Sequence, residues 1–144
     1  VATGCALHLI RPLGFDTSVK ACRRAGLDYW ERLDVREHAG WDEYESATPG
    51  ARRWLLSTKG RRSVFDVDLM PGDHLVFGSE TRGLPPDLLS RHEASMIGLP
   101  MVRGERSLNV ATAVCAVVYE GVRQCLARGE VAVLDGFCSV PKTR

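Results

Sequence analysis

No stretch of this chain reaches the roughly 18 consecutive apolar residues that read as a membrane-spanning helix. Its first residues also lack a basic segment followed by an apolar signal core. A soluble, cytoplasmic protein without membrane partners is the expectation. Charge of one sign is equally lacking: 19 Lys and Arg against 18 Asp and Glu leave a net charge of +1, so any affinity for a polyanion must come from local clustering. The five cysteines, Cys5, Cys22, Cys115, Cys125 and Cys138, are odd in number and form no Cys-x-x-Cys pair. That argues against a disulfide framework and for reduced thiols that fill the core. His92-Glu93 lacks the second histidine of a helical zinc motif, and no metal site is expected. Neither phosphate-binding signature, Gly-x-x-x-x-Gly-Lys-Ser/Thr or Gly-x-Gly-x-x-Gly, occurs, and there is no internal repeat.

What is present is an ordinary globular composition, 44% hydrophobic and 26% charged over 144 residues, enough for one domain with a real core. Short apolar runs alternate with amphipathic stretches, the pattern of an α/β fold. "ALHLI" at 6–10 predicts a strand stopped by Arg11-Pro12. "TSVKACRRAGL" predicts a helix capped by Thr17 or Ser18 and ended by Gly26. A short strand in "ERLDV" and a short helix in "WDEYESA" follow. "RWLLST" is a strand ending at the Lys59-Gly60 turn, and Pro71-Gly72 turns the chain into a strand over 74–77. "PPDLLSRH" starts a helix with prolines in its first turn, and "MIGLPM" is a strand broken by Pro100. A long helix from Ser107 to about Arg128 carries an apolar stripe through Val110, Val114, Val117, Val118, Gly121, Val122 and Cys125. Glu120, Arg123, Gln124 and Arg128 are expected on its polar side. The tail over 129–144 has no clear reading.

Three loops, 57–61, 78–85 and 100–107, follow predicted strands, and open α/β sheets bind ligands outside the carboxyl ends of their strands. "VFGSETRGLP" has glycines, one acid and one arginine but no lysine. It therefore suits a ligand that is zwitterionic and purine-bearing better than a polyphosphate. Gly78 and Gly83 read as turn glycines supplying positive φ. Leu56, Leu99 and Met101 can sandwich an aromatic ring. Glu80 either offsets a cationic centre or stands as an exposed loop acid. Ser107 has the position of a helix N-cap, whereas Asn109, beside a stripe of valines, needs a partner if buried. Arg23-Arg24, Arg52-Arg53, Arg61-Arg62 and the neighbours Arg103 and Arg106 fit either a solvated face or a phosphate-tracking surface.

"LHLIRPLGF", "RRAGLDYW", "FGSETRGLP" and "IGLPMVRGERSLNVATAVCAVVYE" together resemble the SPOUT class of methyltransferases, and in particular the tRNA wobble-nucleotide 2′-O-methyltransferases. The resemblance runs in order up to about Gln124. It implies an α/β fold with a parallel sheet flanked by helices, in a single domain over 1–144 whose part at 74–128 is threaded into a deep trefoil knot. It further implies S-adenosylmethionine as cofactor, the tRNA anticodon loop as substrate, and a homodimer packed through the last helix at Tyr119. By position Leu56, Thr58, Gly78, Leu99, Met101 and Ser107 match cofactor contacts. Glu80 and Asn109 match the catalytic acid and amide, and the RNA would meet Arg23, Arg24, Arg61, Arg62, Arg103 and Arg106. Two departures stand out. The family's first strand, with a loop leading to a catalytic arginine, has no counterpart here, which implies a truncated form. Ala111-Thr112 replaces a pair that often contains serine. A non-catalytic RNA- or cofactor-binding module, and an enzyme acting on ribosomal RNA, are the alternatives.

Overall fold

The computed structural model describes residues 1–105, 107–134 and 137–139, in two compact units, Val1–Gly50 and Ala51–Arg144. In the first, strands β1 (Leu7–Ile10) and β2 (Val35–His38) pair in parallel, Leu7 opposite Val35 and Ile10 opposite His38. The crossover between them contains helix α1 (Val19–Arg24), and Ser18 caps it by accepting a hydrogen bond from the Ala21 N–H. Gly26 follows in the left-handed region at φ 76°, where a glycine costs little. The strand expected in "ERLDV" is displaced: Trp30–Arg32 form a 3-10 turn, and the extended run begins at Val35. The Trp30 and Arg32 N–H groups bond the Leu27 and Tyr29 carbonyls, so local turns absorb the donors a strand would have used. Helix α2 (Trp41–Ala47) lays Tyr44 edge-on against the stacked rings of His8 and His38, whose Nδ1 and Nε2 lie 2.9 Å apart.

The second unit is built on a four-stranded parallel sheet of order β4-β6-β3-β5, with β3 (Arg53–Leu56), β4 (Arg62–Ser63), β5 (His74–Phe77) and β6 (Met96–Gly98). Central β3 reads as a continuous apolar run, as expected for a strand covered on both faces. Its Trp54 and Leu55 are buried. They belong to a core that includes Val64, Val67, Leu69, Ile97 and Val117. Helix α3 (Pro86–Arg91) starts on a proline, whose missing N–H is an orphan there in any case. Residues 132–134 and 137–139 form an antiparallel pair, β7 (Ala132–Leu134) with β8 (Phe137–Ser139); the rest of the 129–144 tail without a clear reading includes residues outside the described ones.

Helix α4 (Val110–Ala127) corrects two expectations. Its N-cap is Asn109, not Ser107: Asn109 is extended at φ −56°, ψ 137°, and its Oδ1 accepts from the N–H groups of Ala111 and Thr112. The side expected to be polar and solvated is partly buried, with Glu120 and Gln124 under cover beside Val117. Segment 67–69 lies outside the strands, and Gln124 replaces the missing ladder. Its amide oxygen accepts from Leu69 N–H at 2.8 Å, while its NH2 donates to the Val67 carbonyl and to Glu120 Oε1. Arg128 adds a bond to the Leu69 carbonyl at 2.7 Å. Buried polar atoms of this kind must be satisfied, and here they fasten the helix to a segment more than fifty residues away in sequence. Among the described residues, α4 is the one helix that by length and composition could cross a bilayer, a property the run-length criterion overlooked. Its buried Glu120 and Gln124 identify it as a helix packed on this core.

Candidate active site

Parallel pairing sends the carboxyl ends of β3, β5 and β6 to one side of the sheet, so the three loops expected to converge leave the sheet in the same direction. Two of them touch. The Ser57 N–H bonds the Ile97 carbonyl at 3.0 Å, and a Cβ added to Gly60 would lie 2.4 Å from the Ile97 carbonyl carbon. The loop after β5 folds back on itself: Gly83 N–H bonds the Ser79 carbonyl at 2.8 Å, and a Cβ on Gly78 would come within 2.0 Å of Gly83 C. Only Gly83 of this pair has positive φ, at 69°. Gly78 is required for close backbone approach, which corrects the expectation of two positive-φ glycines.

That folded loop presents Glu80 to Asn109. The Asn109 Nδ2 donates to Glu80 Oε1 at 3.0 Å, while Oδ1 of the same amide holds the first turn of α4. The two capping bonds fix which end of the amide faces the acid, because only the NH2 group can donate. Glu80 Oε2 has no hydrogen bond among the described residues, and the carboxylate is exposed. It can accept a hydrogen bond or a proton from a hydroxyl brought alongside.

In the loop that leads into Asn109, Met101 and Ser107 line an open cavity of about 350 Å³ together with Pro100, Val102, Glu105 and Leu108. Apolar walls, one hydroxyl and one carboxylate are a donor set that suits an aromatic ring attached to a cationic centre. S-adenosylmethionine, with its adenine and sulfonium, has that chemistry, and the residues fit it. Glu105 was missed by sequence reasoning: lying between Arg103 and Arg106, it was passed over as part of a basic stretch. Its only signal was an acid in the third of the strand-end loops. Leu56 and Leu99 are half-buried and pack against the core, so contact with a ligand would fall largely to their backbone. Thr58 is exposed.

The arginines are divided between the two units. Arg23 pairs with Glu31 at 2.7 Å and Arg24 is exposed, both in the first unit. Arg61 and Arg62 line another cavity in the second unit, of about 680 Å³. Arg103 is exposed, and Arg106 lies outside the described residues. Arg52 serves the fold, bonding Asp73, which also accepts from Trp54 Nε1 and the Met70 N–H. Burial works to raise the Asp73 carboxyl, but these donors outweigh it and hold the group below the usual aspartate range. Tyr119 projects from α4 with 52% of its surface exposed.

Residues 1–119 match the SpoU rRNA Methylase family. The chain belongs to the SpoU methylase family. It is 46% identical over 125 residues to a tRNA (cytidine(34)-2′-O)-methyltransferase of Acidovorax sp., an alignment covering 85% of this chain and 77% of that protein. A solved structure concerned with 2-OH methylation of C/U34 on tRNA is 44% identical with a TM-score of 0.80, covering 87% of this chain and 82% of the other. The SpoU methyltransferase AviRb of Streptomyces viridochromogenes, in complex with AdoMet, is 26% identical with a TM-score of 0.63, over 85% of this chain and 50% of that one. These likenesses agree with the α/β architecture and its parallel sheet.

Proposed function

We propose that this SpoU-family chain transfers a methyl group from S-adenosylmethionine to the ribose 2′-hydroxyl of the wobble nucleotide, cytidine or uridine 34, of tRNA. The observation that carries the reading is the Glu80–Asn109 hydrogen bond, with the cavity of Met101, Glu105 and Ser107 in the loop that runs into Asn109. Similarity over 85% of this chain and 77% of a protein named for that reaction supports the substrate. When bound, the cofactor contributes a methyl group activated by its sulfonium. Gly78, Leu56, Thr58, Leu99, Met101 and Ser107 would hold it through the strand-end loops. Glu80, steadied by Asn109, would accept a hydrogen bond from the ribose and orient its hydroxyl for in-line attack. The arginine clusters would meet the phosphates of a single-stranded loop, whose bases can be splayed out. A tRNA substrate is consistent with a cytoplasmic reaction.

We extend the reading to a single domain knotted over 74–128, on the strength of the family resemblance, and to a homodimer through α4. What supports the dimer is the exposed side of that helix, where Ala111, Cys115, Ala116 and Tyr119 leave mostly small or apolar surface uncovered. The assay is run on this chain and on a form extended at its N-terminus. Each is incubated with labelled cofactor and bulk tRNA, and the modified nucleotide is mapped. Ribose methylation at position 34 is expected. Transfer by neither form would refute the enzyme reading and leave a binding module, while transfer only to ribosomal RNA would refute the substrate.

A further inference from the structure

The larger cavity described in the second unit is lined by Lys59, Arg61 and Arg62 and by apolar groups including Leu89 and Met96, with Glu93 as its acidic member. Its basic residues differ from seven arginines elsewhere in the chain. Arg11, Arg23, Arg36, Arg52, Arg91, Arg123 and Arg128 each pair with a carboxylate. Lys59, Arg61 and Arg62 form no ion pair among the described residues, although Glu93 lines the same cavity. In a chain with almost as many acids as bases, three cations against one acid around one concavity leave a local positive potential for an anion to satisfy. Arg62 is partly committed, its guanidinium lying 5.4 Å from the centre of the Trp54 ring. Lys59 and Arg61 are exposed and make no such contact.

A lining that joins cationic to apolar side chains matches the two parts of an unstacked nucleotide, a phosphate and a flat base, better than it matches a duplex, which offers phosphates alone. About 680 Å³ is within the range of small-molecule sites. We propose that this cavity is a subsite for a single-stranded nucleotide of the RNA substrate, with Lys59 and Arg61 on its phosphate and the base resting on Leu89 and Met96. The proposal deepens the tRNA reading and rests on it for the identity of the RNA.

The test measures binding of a labelled anticodon stem-loop RNA by fluorescence anisotropy across a salt series, alongside methyl-transfer kinetics. K59A/R61A should lower affinity about tenfold or more and flatten the salt slope by roughly 0.7 for each charge removed. Glu93→Gln removes the acid and should tighten binding about twofold. Ala94→Trp, which obstructs the cavity without changing charge, should weaken it. Cofactor binding by calorimetry and thermal unfolding should match the parent chain in all three. In transfer assays the loss should appear in KM rather than kcat. Unchanged affinity and slope in K59A/R61A, or an Ala94→Trp variant that binds like the parent, overturns the subsite. Transfer that continues with unchanged KM removes the subsite and leaves the methyltransferase reading standing. RNA binding that depends on Lys59 and Arg61 in a protein that transfers no methyl group does the reverse.

Discussion

Replacing Gly78 by alanine adds one methyl group to a crowded turn. The new Cβ would lie 2.0 Å from Gly83 C, 2.2 Å from Leu84 N and 2.4 Å from Gly83 O, where real Cβ contacts are essentially never under 3.0 Å. The gap must therefore widen by about 1 Å (3.0 − 2.0) before the contact is merely tight. Every obstructing atom is backbone, so no rotamer change relieves it. Widening pulls on the Gly83 N–H bond to the Ser79 carbonyl, the contact that folds the loop. Overpacking of this kind costs about 1–3 kcal/mol. Glu80 lies inside the displaced segment, and a misplacement of about 1 Å at a reacting group can lower a rate about a hundredfold. Methyl transfer to tRNA should fall by that order in Gly78→Ala, measured as kcat/KM, with a lower unfolding temperature. Gly83→Ala is the matched control: the space is open and only the φ of 69° resists a side chain, worth about 1–2 kcal/mol. Gly83→Asn should do better still, since asparagine tolerates that region. A Gly78→Ala enzyme with parental activity, or one that outperforms Gly83→Asn, would refute the reasoning.

Three further outcomes are expected. Glu80→Ala should keep cofactor affinity by calorimetry while transfer is lost; a large fall in affinity would instead assign Glu80 to the cofactor. Asn109→Ala should lose both the cap, about 0.5–2 kcal/mol, and the anchor of Glu80, so stability and transfer fall together; unchanged thermal unfolding would show that the cap contributes nothing. Asp73→Asn should lower stability at neutral pH by about 1–3 kcal/mol, as Arg52 and Trp54 lose an ionised acceptor. The folded Asp73 carboxyl is depressed by those donors, so its contribution is present above the usual aspartate value of 3.8 and is lost as pH falls through the lower folded value. The stability difference between parent and variant should therefore shrink as pH drops below about 4; a difference constant with pH would exclude the linkage.

Strands β3 and β5 were legible because hard turn signals bracket them: Pro49-Gly50 and Lys59-Gly60 on one, Pro71-Gly72 and Gly78 on the other. Where apolar residues lacked such brackets the reading slipped. "ERLDV" alternates well enough for a strand, yet local bonds from Leu27 to Leu33 compete for its first residues. Gln124 was read as solvated because periodicity treats every amide as polar surface, and nothing in the helix announces that Val67 and Leu69 need its hydrogen bonds. The site divides the same way. That three loops gather at one end of a parallel sheet follows from chain order and strand polarity. That Glu80 meets Asn109 does not, since a contact across twenty-nine residues has no periodic signature, and only the resemblance to a known family pointed to it.

Two separate demands act on the residue at 109. Serine or aspartate would serve as an N-cap about as well as asparagine. Serine would spend its oxygen on the helix, and its single short hydroxyl could not also donate across to the preceding loop. Aspartate would cap, and would sit favourably at the positive end of the helix, but it would set a carboxylate against the carboxylate of Glu80 and drive the acid away. Asparagine alone among the good caps offers an acceptor to Ala111 and Thr112 and a donor to Glu80 from one rigid amide. The first turn of α4 and the placement of the acid are thus the same structural fact. Asn109→Asp should separate them: the helix keeps its stability while the acid loses its seat, and transfer falls without a matching fall in unfolding temperature.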